Sequence, residues 1–328
     1  MRAIRTLTTA VLAATLAVPA LAWAQAAASA DGYPKKAIHI VVPYTAGAIN
    51  DVLARRVGAK LSEALKQPVI VENRPGGGTA IGTEYVARAA PDGYTLLQIA
   101  ASHSVNPSLV PDLPYDSIKD FSFITLAATS PYVLIVAPAL PVKTVADLVA
   151  MAKAKPGALS FSSTGNGGTA HMMGELLNSL GGVKTLHIPY KGGAQATTDL
   201  VSNQVQFSFS TYTGAQSFIK ANRVRAIATT GAKRMSALPD LPTIGETLPG
   251  YDAAGWWGYA APAGTPPAII ARLNQELVRI LQAPEMKETF SAEGVEMLGT
   301  TPDAFKQHIQ REMGVWGKLV KDANITVN

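Results

Sequence analysis

The chain has 328 residues, no cysteine, and 28 Lys and Arg against 23 Asp and Glu, a net charge of +5. Without cysteine there are no disulfides, no thiolate chemistry and no lipid-bearing cysteine at an export cleavage site. The charge excess is too mild, and its basic residues too scattered over expected helix faces, for a nucleic-acid surface; it suits an anionic ligand without showing one.

The first segment reads as an export leader. Arg2 and Arg5 open it, an Ala/Leu/Val run continues to about Leu21, and Ala22-Trp23-Ala24 places small residues around a cleavage point. Cleavage is expected after Ala24, within 1–24, with Ala28-Ser29-Ala30 as a later alternative ending at 30. The apolar run is short for a bilayer span, and no later run approaches the roughly 20 apolar residues that one needs. A soluble, periplasmic mature chain is expected, not inserted in a membrane, with enough residues for two domains.

After the leader, short β-branched runs alternate with helical periodicity, which predicts βαβ units and an α/β fold. A strand over 38–42 leads to a helix carrying Leu53, Val57, Leu61 and Leu65 on one face, with Asn50 or Asp51 at its start, and a second strand follows at 69–71. The turn Arg74-Pro75-Gly76-Gly77-Gly78 opens a helix over 79–90, and Pro91-Asp92-Gly93 turns the chain into a strand over 94–99. An irregular loop is expected over 106–120, then a strand pair at 123–127 and 132–136. A second series follows: helix 145–154, strand 159–162, helix 169–180, strand 186–189, helix 194–201, and strands 205–210 and 225–229.

Pro239, Pro242 and Pro249 then punctuate a return crossing. Thr265-Pro266-Pro267 starts a helix with Ile269, Leu273, Leu277 and Ile280 on one face, and Thr301-Pro302 starts another with Phe305, Ile309, Met313 and Trp316. Both are expected to cover the first lobe. The expected architecture is therefore two lobes, 31–130 with 253–328 and 131–252, each a mainly parallel sheet flanked by helices, with the ligand cleft between them.

Catalytic templates fit poorly. Gly-x-Ser-x-Gly and Walker A patterns are absent, and Gly165-Asn166-Gly167-Gly168-Thr169-Ala170 matches G-x-G-x-x-A without the acidic residue a dinucleotide site needs further on. The five histidines lack metal-ligand spacing, so no metal and no cofactor are expected. A secreted hydrolase would have to be assembled from Ser163, His171 and Asp199, which have no recognised spacing.

What recurs is a strand ending in a small-residue turn before a helix, where free N–H groups and the positive helix end favour anions. Four such turns stand out, at 44–50, 76–79, 101–104 and 163–169. In open parallel sheets these turns lie at the carboxyl ends of strands, where ligands bind, although Gly and Ser also serve simply to reverse a chain. The candidate ligand contacts are Tyr44, Thr45, Ala46, Gly47, Ala48, Asn50 and Asp51 in the first, Gly78 and Thr79 in the second, and Ser102 and His103 in the third. The fourth contributes Ser163, Thr164, Gly165, Asn166, Gly167, Thr169 and His171. For His103 and His171, packing or capping is the competing reading. Tyr44, Tyr190 and Tyr212 are candidate walls of a ligand pocket, whereas Trp256 and Trp257 are expected to pack the core.

Several motifs, in order along the mature chain, carry a family resemblance. They are Val42-Pro43-Tyr44, Val71-Glu72-Asn73-Arg74-Pro75-Gly76, Ala89-Ala90-Pro91-Asp92-Gly93-Tyr94, Gly165-Asn166-Gly167 with His171, Ile188-Pro189-Tyr190-Lys191-Gly192-Gly193 and Leu238-Pro239-Asp240-Leu241-Pro242-Thr243. With these the chain resembles the tripartite tricarboxylate transporter substrate-binding proteins, the Bug receptors. The resemblance implies a two-lobed periplasmic binding protein without catalysis. A di- or tricarboxylate or aromatic carboxylate would be held in the first and fourth turns by backbone amides and ordered water, then delivered to the membrane subunits of a tripartite carrier. A carboxylate sensor docking on a membrane kinase stays open as an alternative. The chain departs from the family pattern at Gly47-Ala48, where Gly-Gly is usual, and at Gln206 and Ser210, where relatives often carry Asp. A neutral Ser210 is expected to suit a second carboxylate on the ligand, because it removes a like charge.

Overall fold

The computed structural model describes residues 32–47, 49–163, 165–190, 193–292 and 294–325, and the expected leader lies outside them. From the N-terminal side come β1 (Ile38–Val42), α1 (Ile49–Leu65), β2 (Val69–Asn73), α2 (Ala80–Ala87), β3 (Thr95–Ala100), α3 (Ser102–Leu109) and the long β4 (Phe121–Val136). The second series runs α4 (Val145–Ala154), β5 (Ser160–Ser163), α5 (Thr169–Gly181), β6 (Leu186–Pro189), α6 (Gly193–Val201), β7 (Phe207–Thr211), α7 (Tyr212–Lys220) and β8 (Arg225–Thr229). The chain returns through β9 (Ala254–Pro262), α8 (Pro267–Gln282), α9 (Pro284–Ser291), β10 (Glu296–Met297) and α10 (Pro302–Asp322). None of the described helices is long and apolar enough to cross a membrane.

The strands form one curled sheet in the order β2-β1-β3-β9-β4-β7-β5-β6, with β8 and β10 also paired to β4. The outer runs, β2-β1-β3 and β6-β5-β7, are parallel, as βαβ units require. Between them β9 and β4 run antiparallel to their neighbours. The alternation of strand and helix predicts the parallel runs. It does not reveal β9, whose Ala-Gly-Trp-Trp-Gly-Tyr run is buried on both faces: Trp256 faces one apolar cluster of the first half and Trp257 the other.

The strand pair expected at 123–127 and 132–136 is one strand, and Pro131 marks where its partners change. Up to Pro131, β4 pairs with β9; from Tyr132 onward it pairs with β7, and from Val133 also with β8. Proline has no N–H for a ladder, so it is tolerated at this change of partners rather than within either half. The sequence signal for a break is therefore real, although the strand continues through it.

Local signals account for most helix boundaries. Thr144 and Asp147 form a capping box at the start of α4, and Pro267 and Pro302 occupy the first helical positions of α8 and α10. The helix expected over 79–90 begins later, because Gly76, Gly77, Gly78 and Thr79 all have positive φ. The loop expected from 106 contains part of α3, a short helix that encloses Pro107.

The apolar face of α10 is divided. Phe305 and Ile309 pack in a cluster with Val41, Leu97, Ile99 and Trp256, whereas Trp316, Leu319 and Val320 pack with Val133, Phe161, Phe207 and the second series. Between them, Glu312 accepts hydrogen bonds from Trp256 Nε1 (3.2 Å) and Trp316 Nε1 (2.6 Å). The last helix thus runs from the first half of the sheet onto the second.

Candidate functional site

The first turn, between β1 and α1, is held by side chains that spend their polar atoms on it. Asp51, buried, accepts the Gly47 N–H (3.0 Å) and Arg55 Nε (3.0 Å) on Oδ2, and its Oδ1 lies 2.9 Å from Arg55 Nη2. That guanidinium and amide hold the Asp51 carboxyl below its usual range. Arg55 also donates to Asn73 Oδ1 (2.9 Å), and Asn73 Nδ2 donates to the Tyr44 carbonyl (3.1 Å). From below, the fully buried Gln98 donates to the Asn50 carbonyl (2.8 Å). Asp51 and Asn50 therefore shape the turn, while Thr45, Ala46 and Gly47 form its exposed crest. Gly47 has φ +84° with open space where a Cβ would stand, so glycine serves the backbone there. Ala48 lies outside the described residues.

The third turn is tied to the first, and the second to the helix that follows the third. Tyr44 and Ser102 hydroxyls are 2.7 Å apart. Asn106 Nδ2 donates to the Gly78 carbonyl (2.8 Å) and to Thr79 Oγ1 (3.1 Å). Thr79 sits at φ +84°, costly for a β-branched residue and retained only where surroundings enforce it. His103 is turned into the interior: Nε2 lies 2.8 Å from the Ser117 carbonyl, and its ring packs between Tyr115 and Phe121. Burial pushes its pKa down to about 4, so this imidazole is neutral packing.

In the fourth turn, Ser163 closes β5 and Gly168 is the N-cap of α5. Ser163 Oγ donates to the Gly165 carbonyl (2.9 Å), accepts the Gly165 N–H (3.2 Å) and lies 2.6 Å from His187 Nε2. The Gly167 N–H donates to His171 Nδ1 (2.9 Å). Asn166 is exposed, and Thr169 begins the helix with first-turn N–H groups that lack intrahelical acceptors. Thr164 lies outside the described residues.

The two halves meet at Tyr132, on the β4 segment just after Pro131. Its phenol interacts with the Thr169 side chain, and it lies close enough to the Tyr44 phenol to raise that group's pKa. Burial pushes Tyr44 up to about 12 and Tyr132 upward as well, so both remain O–H donors. Sequence reasoning misses Tyr132; an aromatic with a polar tip directly after a strand-interrupting proline is the available signal. Tyr44 and Ser102 thus join the first and third turns, and Tyr132 lies between the Tyr44 phenol and Thr169 of the fourth, with the Arg55 guanidinium already engaged.

Other candidates lie at the margins. Tyr190 donates its hydroxyl to Asp199 Oδ2 (2.8 Å) and its N–H to the Ser163 carbonyl (2.9 Å), bracing the fourth turn from β6. Ser210 Oγ donates to the Thr211 carbonyl (3.2 Å), and Tyr212 opens α7 with its Cβ against Gly294. Gln206 accepts from Ser160 at the start of β5, the end of that strand away from the turns. The residues a hydrolase would need do not converge: Asp199 is bonded by Tyr190 and Gln195, and the imidazole beside Ser163 is that of His187. A separate cavity of about 530 Å³ is lined by Thr129, Pro131, Met235, Asp252 and Lys287 among others, and no residue of the four turns lines it. It is bordered by loops and α9, without helix starts.

The chain is similar to known proteins over most of its length. The model of the family described as "Tripartite tricarboxylate transporter family receptor" matches residues 53–325. BugT of Bordetella pertussis is 35% identical over 297 residues, covering 90% of this chain and 91% of its own. Among solved structures, R. palustris Rpa4515 with adipate has a TM-score of 0.78 at 33% identity, covering 90% of this chain and all of that one (100%). MatC from Rhodopseudomonas palustris with bound malate has a TM-score of 0.74 at 29% identity, with coverages of 88% and 100%.

Proposed function

Because the chain belongs to the tripartite tricarboxylate transporter receptor family, whose members are periplasmic solute-binding receptors, we propose that it captures a small dicarboxylate between two lobes and delivers it to cognate membrane subunits. The observation that carries this reading is the convergence of the β1–α1, β3–α3 and β5–α5 turns on Tyr44 and Tyr132. One carboxylate would take the two phenols and N–H groups of the 44–47 and 165–169 turns other than those of Gly47, Gly165 and Gly167, which Asp51, Ser163 and His171 hold. Charge-assisted hydrogen bonds contribute about 1.5–3 kcal/mol each, so a few reach the roughly 8 kcal/mol of micromolar binding after ordering costs.

The lobes are residues 31–130 with 253–328, and 131–252. β4, the return into β9 and the C-terminal half of α10 cross between them. Lobe closure around the ligand would present an altered shape to the membrane partner. Adipate and malate in the related proteins favour a diacid, and Ser210 in place of an acid removes one source of repulsion to the second carboxylate.

The test is thermal denaturation of the purified protein with mono-, di-, tri- and aromatic carboxylates. A diacid is expected to raise the melting temperature with increasing concentration, and more than its monoamide does. No shift with any carboxylate would overturn the proposal, and equal shifts for diacid and monoamide would remove Ser210 from it.

A further inference from the structure

We infer that His171 and His187 are positioning residues: two stacked, uncharged imidazoles that hold the 163–169 turn in its ligand-accepting shape. The inference rests on the proposed role of that turn, and on geometry the proposed function does not use.

His171 Nδ1 accepts the Gly167 N–H (2.9 Å), so this nitrogen must be unprotonated and the proton sits on Nε2. Protonating Nδ1 would set an N–H against an N–H and release Gly167. The His187 ring stacks on that of His171 with centroids 3.7 Å apart and 10° between planes, and its Nε2 reaches Ser163 Oγ at 2.6 Å. Ser163 Oγ in turn holds both the N–H and the carbonyl of Gly165. Each imidazole thus grips a different glycine of the turn, His171 directly and His187 through Ser163. The parallel pairing of β5 with β6, which sets Phe161 beside His187, brings together two histidines distant in sequence, and Phe161 packs against both rings.

The surroundings disfavour charge. The facing titratable groups are Glu175, one turn along α5 and 3.8 Å from His171 Nε2, and the Tyr190–Asp199 pair beyond Ser163. Burial raises the pKa of Glu175, so it compensates a buried imidazolium poorly. Burial lowers both histidines to about 4, and His171 depresses His187 further by like charge. Above the ordinary histidine value of 6.5 both rings are neutral; as pH falls toward about 4 the turn loses the His171 acceptor, whereas His187, which donates from Nε2 to Ser163 Oγ because that hydroxyl's own proton goes to the Gly165 carbonyl, keeps its bond.

Amide hydrogen exchange at Gly165 and Gly167 tests the anchoring without any ligand. His171→Phe keeps a ring in the stack and removes the acceptor, so protection of the Gly167 amide should fall about tenfold. His171→Asn returns an acceptor that does not titrate, and should restore protection to within about twofold and hold it as the pH is lowered to 5. His187→Phe should expose Gly165 in the same way and His187→Gln should not. Unchanged Gly167 protection in His171→Phe, or loss in His171→Asn as large as in His171→Phe, overturns the inference. Adipate titrated against the same variants separates it from the functional reading. Weakening of about tenfold in His171→Phe with recovery in His171→Asn supports both. Loss of Gly167 protection with unchanged adipate affinity leaves the anchors standing and removes the turn from the carboxylate site.

Discussion

The first-lobe and second-lobe turns present the same groups, small residues ahead of a helix start, yet they are held by opposite means. At 44–51 the scaffold is ionic and amide: Asp51 with Arg55, Asn73 on the Tyr44 carbonyl, Gln98 under Asn50. At 163–171 it is uncharged: Ser163 and two imidazoles. A turn stapled by a carboxylate with a depressed pKa tolerates mild acid, whereas one stapled by neutral imidazoles does not. Equal exposure of helix ends to a ligand therefore does not mean equal robustness.

The most damaging way to break this comparison is at Asp51. Asp51→Ala leaves the Gly47 amide without its acceptor and returns the half-exposed Arg55 guanidinium to water, a loss of about 1–2 kcal/mol. Urea denaturation should show that loss, together with a fall of more than tenfold in diacid affinity. Asp51→Asn, which can still accept from Gly47, should lose less of both.

Acid separates the two turns without mutation. The four histidines with depressed pKa values, His103, His171, His187 and His308, contribute stability that is complete above 6.5 and declines as pH falls toward about 4. Asp51, with its pKa lowered, contributes stability that is complete above its ordinary 3.8 and is lost only below that. Denaturation at pH 7.5, 6 and 5 should show a falling unfolding free energy. Amide exchange should show Gly167 loosening before Gly47, and simultaneous loosening would contradict the difference drawn between the turns.

The mildest perturbation is Tyr44→Phe. It deletes the hydrogen bond to Ser102 and one phenol donor, at about 1 kcal/mol of stability and a few-fold in diacid affinity by calorimetric titration. No change in affinity would place the carboxylate away from Tyr44.

Much of this site is legible in the amino-acid sequence. Glycine-rich turns between strand and helix locate Gly47, Gly78 and Gly165 to Thr169, because φ > 0 and helix-start chemistry are properties of a few consecutive residues. The role of Asp51 is half legible: its place near a helix start is visible, its bond back to Gly47 is not. His171 reads as capping or ligand contact, and it caps Gly167. Tyr132, Gln98 and His187 escape such a reading because each reaches its partner through strand pairing or lobe packing, which local periodicity does not encode.

By itself, then, the sequence determined the order of βα units, the capped starts of α4, α8 and α10, the positive-φ turns and the family motifs, all set by short-range sterics and hydrogen bonding. Only the tertiary structure decided that β4 runs unbroken through Pro131 and that β9 lies antiparallel between β3 and β4. It likewise decided that α10 spans both halves, and that two distant histidines stack beneath one turn. Those choices depend on which strands become neighbours, and that is settled by burial and register over the whole sheet.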